Sequence, residues 1–141
     1  MSSILTIGSV IKSKAQKLID TYIEGWKMGD DEIVCRALTK DCLIIESHGP
    51  TYNGVGDVKK WVNRWIKEKH KVDKWDIISF LLKGNVAVFE WQFTFSSSGA
   101  TPRTIDGMSI VKFTGNKIAY LREYRTTKPL YKFQMQYKSR L

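Results

Sequence analysis

Hydrophobic residues recur every three or four positions in the first half of the chain and every second position in much of the second half. From about Val10 to Met28 the apolar positions follow helical spacing, which predicts one long amphipathic helix. Gly29-Asp30-Asp31 ends that helix and opens a short second one, at about Glu32 to Leu38. Another apolar stripe predicts a third helix at about Val58 to Lys69, with Asp57 as its N-cap.

Runs rich in β-branched and aromatic residues predict a sheet. Between the second and third helices, Cys42 to Ser47 has the pattern of a strand, and His48 to Gly56 is a turn-rich loop. After His70, short segments that include glycine separate four further predicted strands, at about Lys74 to Leu82, Val86 to Phe95, Arg103 to Phe113 and Lys117 to Tyr124. The order of elements predicts an α+β domain with helices packed on one face of a curved sheet.

The last predicted strand places a carboxylate among apolar residues. Alternation puts Ala119, Leu121 and Glu123 on one face and Ile118, Tyr120, Arg122 and Tyr124 on the other. A carboxylate on a buried face is either an accident of packing or a group with a chemical role.

The length of 141 residues fits one domain, and no apolar run approaches the roughly 20 residues of a membrane span. The first residues lack the features of a secretory signal, so we expect a cytoplasmic protein. In that setting Cys35 and Cys42 are expected to be reduced packing residues. His48 and His70 have no Cys or His at ligand spacing, so we expect no metal site.

Lys and Arg outnumber Asp and Glu by 23 to 14, a net charge of +9. Lys60, Arg64, Lys67 and Lys71 fall at helical spacing, which favours a solvated helix face over a nucleic-acid or other polyanion site. In the basic, aromatic C-terminal tail, residues 127–141, the period-two spacing of Tyr131, Phe133, Met135 and Tyr137 favours an added edge strand or a dimer contact over a frayed end.

Three local patterns resemble the nuclear transport factor 2-like superfamily, and its SnoaL-like branch in particular. Ala15 to Asp30 resembles the family's first helix with its Gly-Asp stop, and Ala37 to Glu46 resembles the second helix entering the first strand. Gly107 to Tyr124 resembles the closing hairpin. The resemblance covers about residues 10–126. It implies a cone-shaped fold, with three N-terminal helices packed on a curved, mainly antiparallel sheet, as one SnoaL-like domain over residues 1–141.

The resemblance also implies an apolar pocket inside the cone and assigns side chains to it. On the first strand it points Cys42, Ile44, Glu46 and His48 inward; on the Val86 to Phe95 strand it points Val86, Val88, Glu90 and Gln92 inward. Phe89, Trp91, Phe93 and Phe95 would then lie on the convex face. Because four exposed aromatic side chains are unfavourable in water, this arrangement predicts a homodimer through that face.

Ketosteroid isomerase, a member of the superfamily, uses a Tyr on helix one, a carboxylate base on the first strand and a protonated Asp on a later strand. The resemblance places Tyr22 and Glu46 at the first two positions and Ser109 at the third. The Asp-Arg-Asp set of the limonene-epoxide-hydrolase branch does not match, because Glu90 and Gln92 replace its Arg and one Asp, and Ile44 and Glu46 replace its Tyr and Asn.

The sequence therefore predicts a protein that binds a small, largely apolar molecule, as an isomerase, cyclase or dehydratase with a carboxylate base, and without a cofactor. The alternative is a non-catalytic binding or protein-interaction module of the nuclear transport factor 2 type. The candidate catalytic residues are Glu46, Tyr22, His48 and Glu123. The candidate ligand-binding residues are Trp26, Ile44, Trp61, Trp65, Glu90, Gln92, Ser109 and Leu121.

Overall fold

The computed structural model describes residues 10–134. It contains helices α1 (Lys12–Met28), α2 (Asp31–Arg36) and α3 (Gly54–Lys67), and strands β1 (Leu38–Ile45), β2 (Thr51–Asn53), β3 (His70–Lys83), β4 (Val86–Ser97), β5 (Arg103–Thr114) and β6 (Lys117–Arg125). None of these helices is long and apolar enough to span a membrane. Cys35 and Cys42 are free thiols.

The six strands form one curved, open, mixed sheet in the order β2-β1-β6-β5-β4-β3. Only β1 and β6 are parallel neighbours; the other pairs are antiparallel. The α+β class is confirmed. The three-helix N-terminal layer is not matched, because α3 follows β1 and β2 along the chain. Residues 48–56 were expected to be loop, but Thr51–Asn53 pairs with Leu43–Ile45.

Helix boundaries follow from local capping. Gly29 adopts a left-handed backbone (φ 65°) that ends α1, and the Asp30 side chain then caps α2 by accepting hydrogen bonds from the N–H groups of Glu32 and Ile33. The N-cap prediction for α3 is wrong. The cap is Asn53, and Asp57 lies in the first turn, where its carboxylate accepts a hydrogen bond from the Asn53 N–H.

Strand β4 faces the opposite way to the sequence expectation. Ala87, Phe89 and Trp91 are buried, whereas Glu90 is exposed. Alternation then points Phe93 and Phe95 toward the helices and leaves Val86, Val88 and Gln92 on the outer side. The reason is energetic, since burying each aromatic side chain is worth about 1.5–3 kcal/mol. These four aromatics therefore do not form an interface on the convex face. The homodimer remains a prediction, but this aromatic stripe no longer supports it.

A bulge in β6 changes which of its residues are inside. The register with β5 shifts between Lys112 and Phe113, so that Ile118 and Leu121 are both buried although they differ by an odd number of positions. Beyond the bulge, Leu121 and Glu123 share the inward face as expected. Residues 126–132 form no strand, and Met135 and Tyr137 of the predicted edge strand lie outside the described residues.

Candidate functional site

A cavity of about 160 Å³ lies between the helices and the inward face of the sheet. Its walls are mostly aromatic and include all five tryptophans of the chain. The eight aromatic residues are Tyr22, Trp26, Trp61, Trp65, Trp75, Trp91, Phe93 and Phe95; the remaining lining residues are Glu46, Ser47, His48, Ile105, Glu123 and Arg125. This cavity is comparable in size to the roughly 150 Å³ engineered cavity that binds benzene.

Several rings of the wall pack edge-on against one another. Trp26 packs edge-on against Trp61, with centroids 4.5 Å apart and planes at 65°. Trp75 packs in the same way against Tyr22 (6.1 Å, 70°) and Phe93 (5.1 Å, 79°). Edge-to-face packing is the favoured geometry of aromatic pairs, so these contacts hold the walls in place without any ligand.

A glycine allows one of these rings to reach the cavity wall. Gly107 on β5 lies directly opposite Trp91 on β4. A Cβ atom at position 107 would lie 2.4 Å from the Trp91 ring and 2.5 Å from the Tyr124 carbonyl oxygen. Only glycine therefore fits beneath the indole, whose N–H donates a 2.9 Å hydrogen bond to Ser109 Oγ.

Glu46 lies immediately after β1, in the turn that leads to β2. Its Oε1 accepts a 2.5 Å hydrogen bond from the Tyr52 hydroxyl, and its Oε2 is 3.9 Å from His48 Nδ1. Tyr52 in turn stacks on Trp61, with centroids 4.0 Å apart and planes at 8°. Burial, followed by the hydrogen bond and the negative charge of Glu46, raises the pKa of Tyr52, so its phenol stays protonated and keeps donating.

Glu123 lies on β6 directly opposite Ser109 of β5 and is partly buried. Burial, followed by the negative charge of Glu46, raises the pKa of the Glu123 carboxyl to about 8, and Arg125 opposes the rise. At neutral pH Glu123 is therefore mostly protonated. The same cavity thus holds two carboxyl groups, of which Glu123 is a neutral carboxylic acid.

Hydrogen-bond donors without acceptors also belong to the cavity walls. Within residues 10–134, the buried indole N–H groups of Trp65 and Trp75 have no hydrogen-bond partner. Tyr22 is almost fully buried, and burial, then the charge of Glu123, raises the pKa of its phenol. Unsatisfied buried donors are rare and destabilising.

The structure brings together seven of the twelve candidate residues at the cavity: Tyr22, Trp26, Glu46, His48, Trp61, Trp65 and Glu123. The other five do not line it. Ile44 and Leu121 are fully buried in the core, and Ser109 is buried beneath the Trp91 indole. Glu90 and Gln92 are placed outside, where they hydrogen-bond Ser79 and Asp106, because β4 turns its aromatic face inward.

Sequence reasoning missed Tyr52 and the inward position of Trp75, Trp91, Phe93 and Phe95. The sequence of β4 shows that its residues alternate between two faces. The face that carries the larger apolar side chains is the one that should have been assigned to the interior. In the part of the chain that the structure describes, no three His, Cys, Asp or Glu side chains cluster as metal ligands would.

A curved sheet closed over by helices, with an aromatic cavity between them, defines a small α+β domain of the cone-shaped type. The chain belongs to the SnoaL-like domain family, whose model matches residues 19–121. No curated protein matches the sequence.

Solved structures share the fold at low sequence identity. A hypothetical protein from Catenulispora acidiphila with a ketosteroid isomerase-like fold, in complex with trimethylamine, superposes with a TM-score of 0.71 at 16% identity, covering 78% of this chain and 85% of that one. An epoxide hydrolase from M. tuberculosis superposes with a TM-score of 0.71 at 13% identity, covering 81% of this chain and 84% of that one. A protein of unknown function from Burkholderia xenovorans that is similar to nuclear transport factor 2 superposes with a TM-score of 0.68 at 15% identity. The match covers 89% of this chain and 93% of that one.

Proposed function

We propose that this protein binds a small, largely apolar molecule in the aromatic cavity and that Glu46 and Glu123 move a proton on it, in an isomerase, cyclase or dehydratase type of reaction. The observation that carries the proposal is that two carboxyl groups, Glu46 and Glu123, lie on the wall of a cavity lined by eight aromatic rings, where burial raises the pKa of Glu123. Pairs of titratable groups with separated pKa values supply a base and an acid at the same pH.

Glu46 is the proposed base. Burial, followed by the negative charge of Glu46, raises the pKa of Glu123, and the Tyr52 hydroxyl fixes the orientation of the Glu46 carboxylate through Oε1. Oε2 remains to accept a proton from a C–H or O–H group of the ligand. Glu123 then donates its proton to the ligand oxygen where negative charge develops, and Tyr22 is a second protonated donor on the same wall.

We propose that a ketosteroid isomerase-like arrangement persists without the third carboxyl group, because Ser109 pairs with Glu123. The resemblance places Ser109 where that enzyme holds its neutral Asp, but Ser109 is buried beneath Trp91. Glu123 is its cross-strand neighbour on the same face. We propose that Glu123 takes over the role of the neutral acid. The trimethylamine bound by the Catenulispora acidiphila relative supports the proposal that such cones hold small molecules.

A second candidate function is a protein-interaction module. The outer face of the sheet exposes Leu81, Met108 and Tyr124, by 74%, 39% and 44%, and Val88 lies beside them. We propose this patch, in place of the four aromatics, as the surface for a homodimer or another protein partner. Sedimentation at micromolar concentration tests it, with Leu81→Asp expected to weaken any association that the wild type shows.

Ligand binding can be tested before the substrate is known. All five tryptophans line the cavity, so their fluorescence reports on its occupation. A panel of small apolar carbonyl compounds is expected to contain binders that change this fluorescence and raise Tm. At a free ligand concentration of 100 times Kd, the free energy of unfolding is expected to rise by about 2.7 kcal/mol. Ile105→Phe, which fills part of the cavity, is expected to remove both effects. Binding that survives this substitution unchanged would place the ligand elsewhere.

For a ligand that turns over, Glu46→Gln keeps the shape of the side chain and removes the base. The rate is expected to fall about 100-fold while Kd stays within a few-fold. Glu24→Gln, an exposed carboxylate paired with Lys27 on α1, is the matched control and should leave both values unchanged. A rate in Glu46→Gln within a few-fold of wild type would remove the proposed base and favour a binding protein without turnover.

A further inference from the structure

We propose that the ligand of this cavity is an organic cation, a small molecule with an alkylated ammonium group that sits among the aromatic rings beside Glu46 and Glu123. This inference rests on the proposed function in one respect, namely that the aromatic cavity is the binding site. It adds the charge and the chemical class of the ligand, and for such a ligand Glu123 is a binding group that ionises, in place of the proton donor of the proposed function.

The shape of the walls is the first argument. Three pairs of wall rings meet at 65° to 79°, so the faces of the lining rings point in different directions. An alkylated ammonium group has an apolar surface and a diffuse positive charge, which suits the negative faces of tryptophan and tyrosine rings. Three of the walls, Trp26, Trp61 and Trp75, belong to the residue type that gives the strongest cation–π interaction.

The charge of the cavity is the second argument. The chain carries a net charge of +9, yet two of the ionisable groups that line the cavity are carboxyl groups. Arg125 and His48 also line the cavity, but both residues are exposed to solvent. Two glutamates among the aromatic walls can therefore pair with a bound cation inside a protein that is basic overall.

The unfavourable ionisation of Glu123 favours a cation over a neutral ligand. Burial, followed by the negative charge of Glu46, raises the pKa of Glu123 to about 8, so the free protein retains a proton that an ordinary glutamate would lose. A neutral ligand brings no charge that would offset these two effects. A cation between the two groups offsets the charge of Glu46, and Glu123 can then ionise and attract the ligand.

Binding of a cation is therefore expected to release a proton. The titratable and charged groups that face Glu123 are Tyr22 on α1, Glu46 and His48 after β1, Tyr52 on β2 and Arg125 on β6. At pH 7 most molecules hold the Glu123 proton before binding. Affinity for the cation should thus rise as pH increases toward about 8 and become constant above it.

The matched probes are choline and its neutral isostere 3,3-dimethylbutan-1-ol, which differ by the charge at the quaternary centre. We expect choline to bind at least about tenfold more tightly at pH 8, measured by tryptophan fluorescence and calorimetry. Calorimetry at pH 7 in two buffers of different ionisation enthalpy should show the proton release. Phosphatidylcholine vesicles form the arm that tests a lipid headgroup as the source, and we expect no binding to them.

Three variants assign the effect to the cavity. Glu123→Gln should weaken choline binding about tenfold at pH 8 and remove its pH dependence. Trp61→Leu, which removes a ring and keeps an apolar side chain, should weaken binding, and Trp61→Phe should restore most of it. Glu24→Gln removes an exposed carboxylate outside the cavity and should change nothing.

The outcomes separate the two proposals. If 3,3-dimethylbutan-1-ol binds as tightly as choline, the cation inference is wrong and the cavity remains a site for apolar ligands. If neither binds, nor any amine of a small panel that includes tetramethylammonium, the cation inference is again wrong, and the neutral carbonyl panel decides the proposed function by itself. Binding to vesicles without binding of free choline would also overturn the inference.

Discussion

Replacement of Glu123 by glutamine is expected to stabilise the protein by about 3 kcal/mol at pH 8 to 9 and to change its stability little at pH 4. Burial and Glu46 raise the pKa of Glu123 from its ordinary value of 4.5 to about 8. Between these two pH values the folded chain keeps a proton that the unfolded chain has lost. The free energy of unfolding therefore falls as pH rises through this window.

The size of the effect follows from the two pKa values. A carboxyl group that titrates at about 8 in the folded protein and 4.5 in the unfolded one accounts for at most about 5 kcal/mol. Because Glu123 is partly exposed, we expect about 3 kcal/mol. Urea unfolding at pH 4, 6, 8 and 9 measures this. The free energy of unfolding of Glu24→Gln should change with pH in the same way as that of the wild type. If Glu123→Gln also showed the wild-type dependence on pH, the prediction would be wrong.

Phe93→Asp is expected to destabilise the protein by about 4 kcal/mol or to prevent folding. Phe93 packs edge-on against Trp75 and stacks on Phe95, so the substitution removes these contacts and places a charge in an apolar cavity. Urea unfolding, monitored by circular dichroism, measures the loss of stability.

The neighbouring residue on the same strand is the control for Phe93. Thr94 points to the other side of the sheet, where its hydroxyl hydrogen-bonds Thr104. Thr94→Asp should alter stability by no more than about 1 kcal/mol. If Phe93 lay on a convex interface, Phe93→Asp would instead change the sedimentation of the protein and leave the stability of the monomer nearly intact.

The helices and most strands could be predicted because their signals are local. The stripe in α1 and its stop at Gly29-Asp30 need only neighbouring residues, and the structure confirms this helix nearly to its bounds. Strand β2 could not be predicted in this way. It has three residues, and it exists only because Thr51–Asn53 pairs with β1. Tyr52, which holds Glu46, was missed for the same reason.

The sequence predicted the two carboxylates of the site and the aromatic residues that the helices contribute. It did not predict the aromatic residues that the sheet contributes. Glu46 directly follows β1 and Glu123 lies on β6 beyond the bulge, and both reach the cavity as expected. On β4 the resemblance favoured the set that contains Glu90, whereas burial of Phe89 and Trp91 decides the orientation. The bulge that brings Ile118 and Leu121 to the same side depends on pairing with β5, which a single strand does not encode.

The carboxyl titration of Glu123 tests the central claim, a neutral acid beside a charged base in the aromatic cavity. Carbon-13 NMR of glutamate-labelled protein follows each carboxyl with pH, and Glu123→Gln assigns its resonance. We expect a midpoint near 8 for Glu123, and a lower midpoint in Glu46→Gln because the neighbouring negative charge is gone. A wild-type midpoint near 4.5, unmoved by Glu46→Gln, would contradict the account.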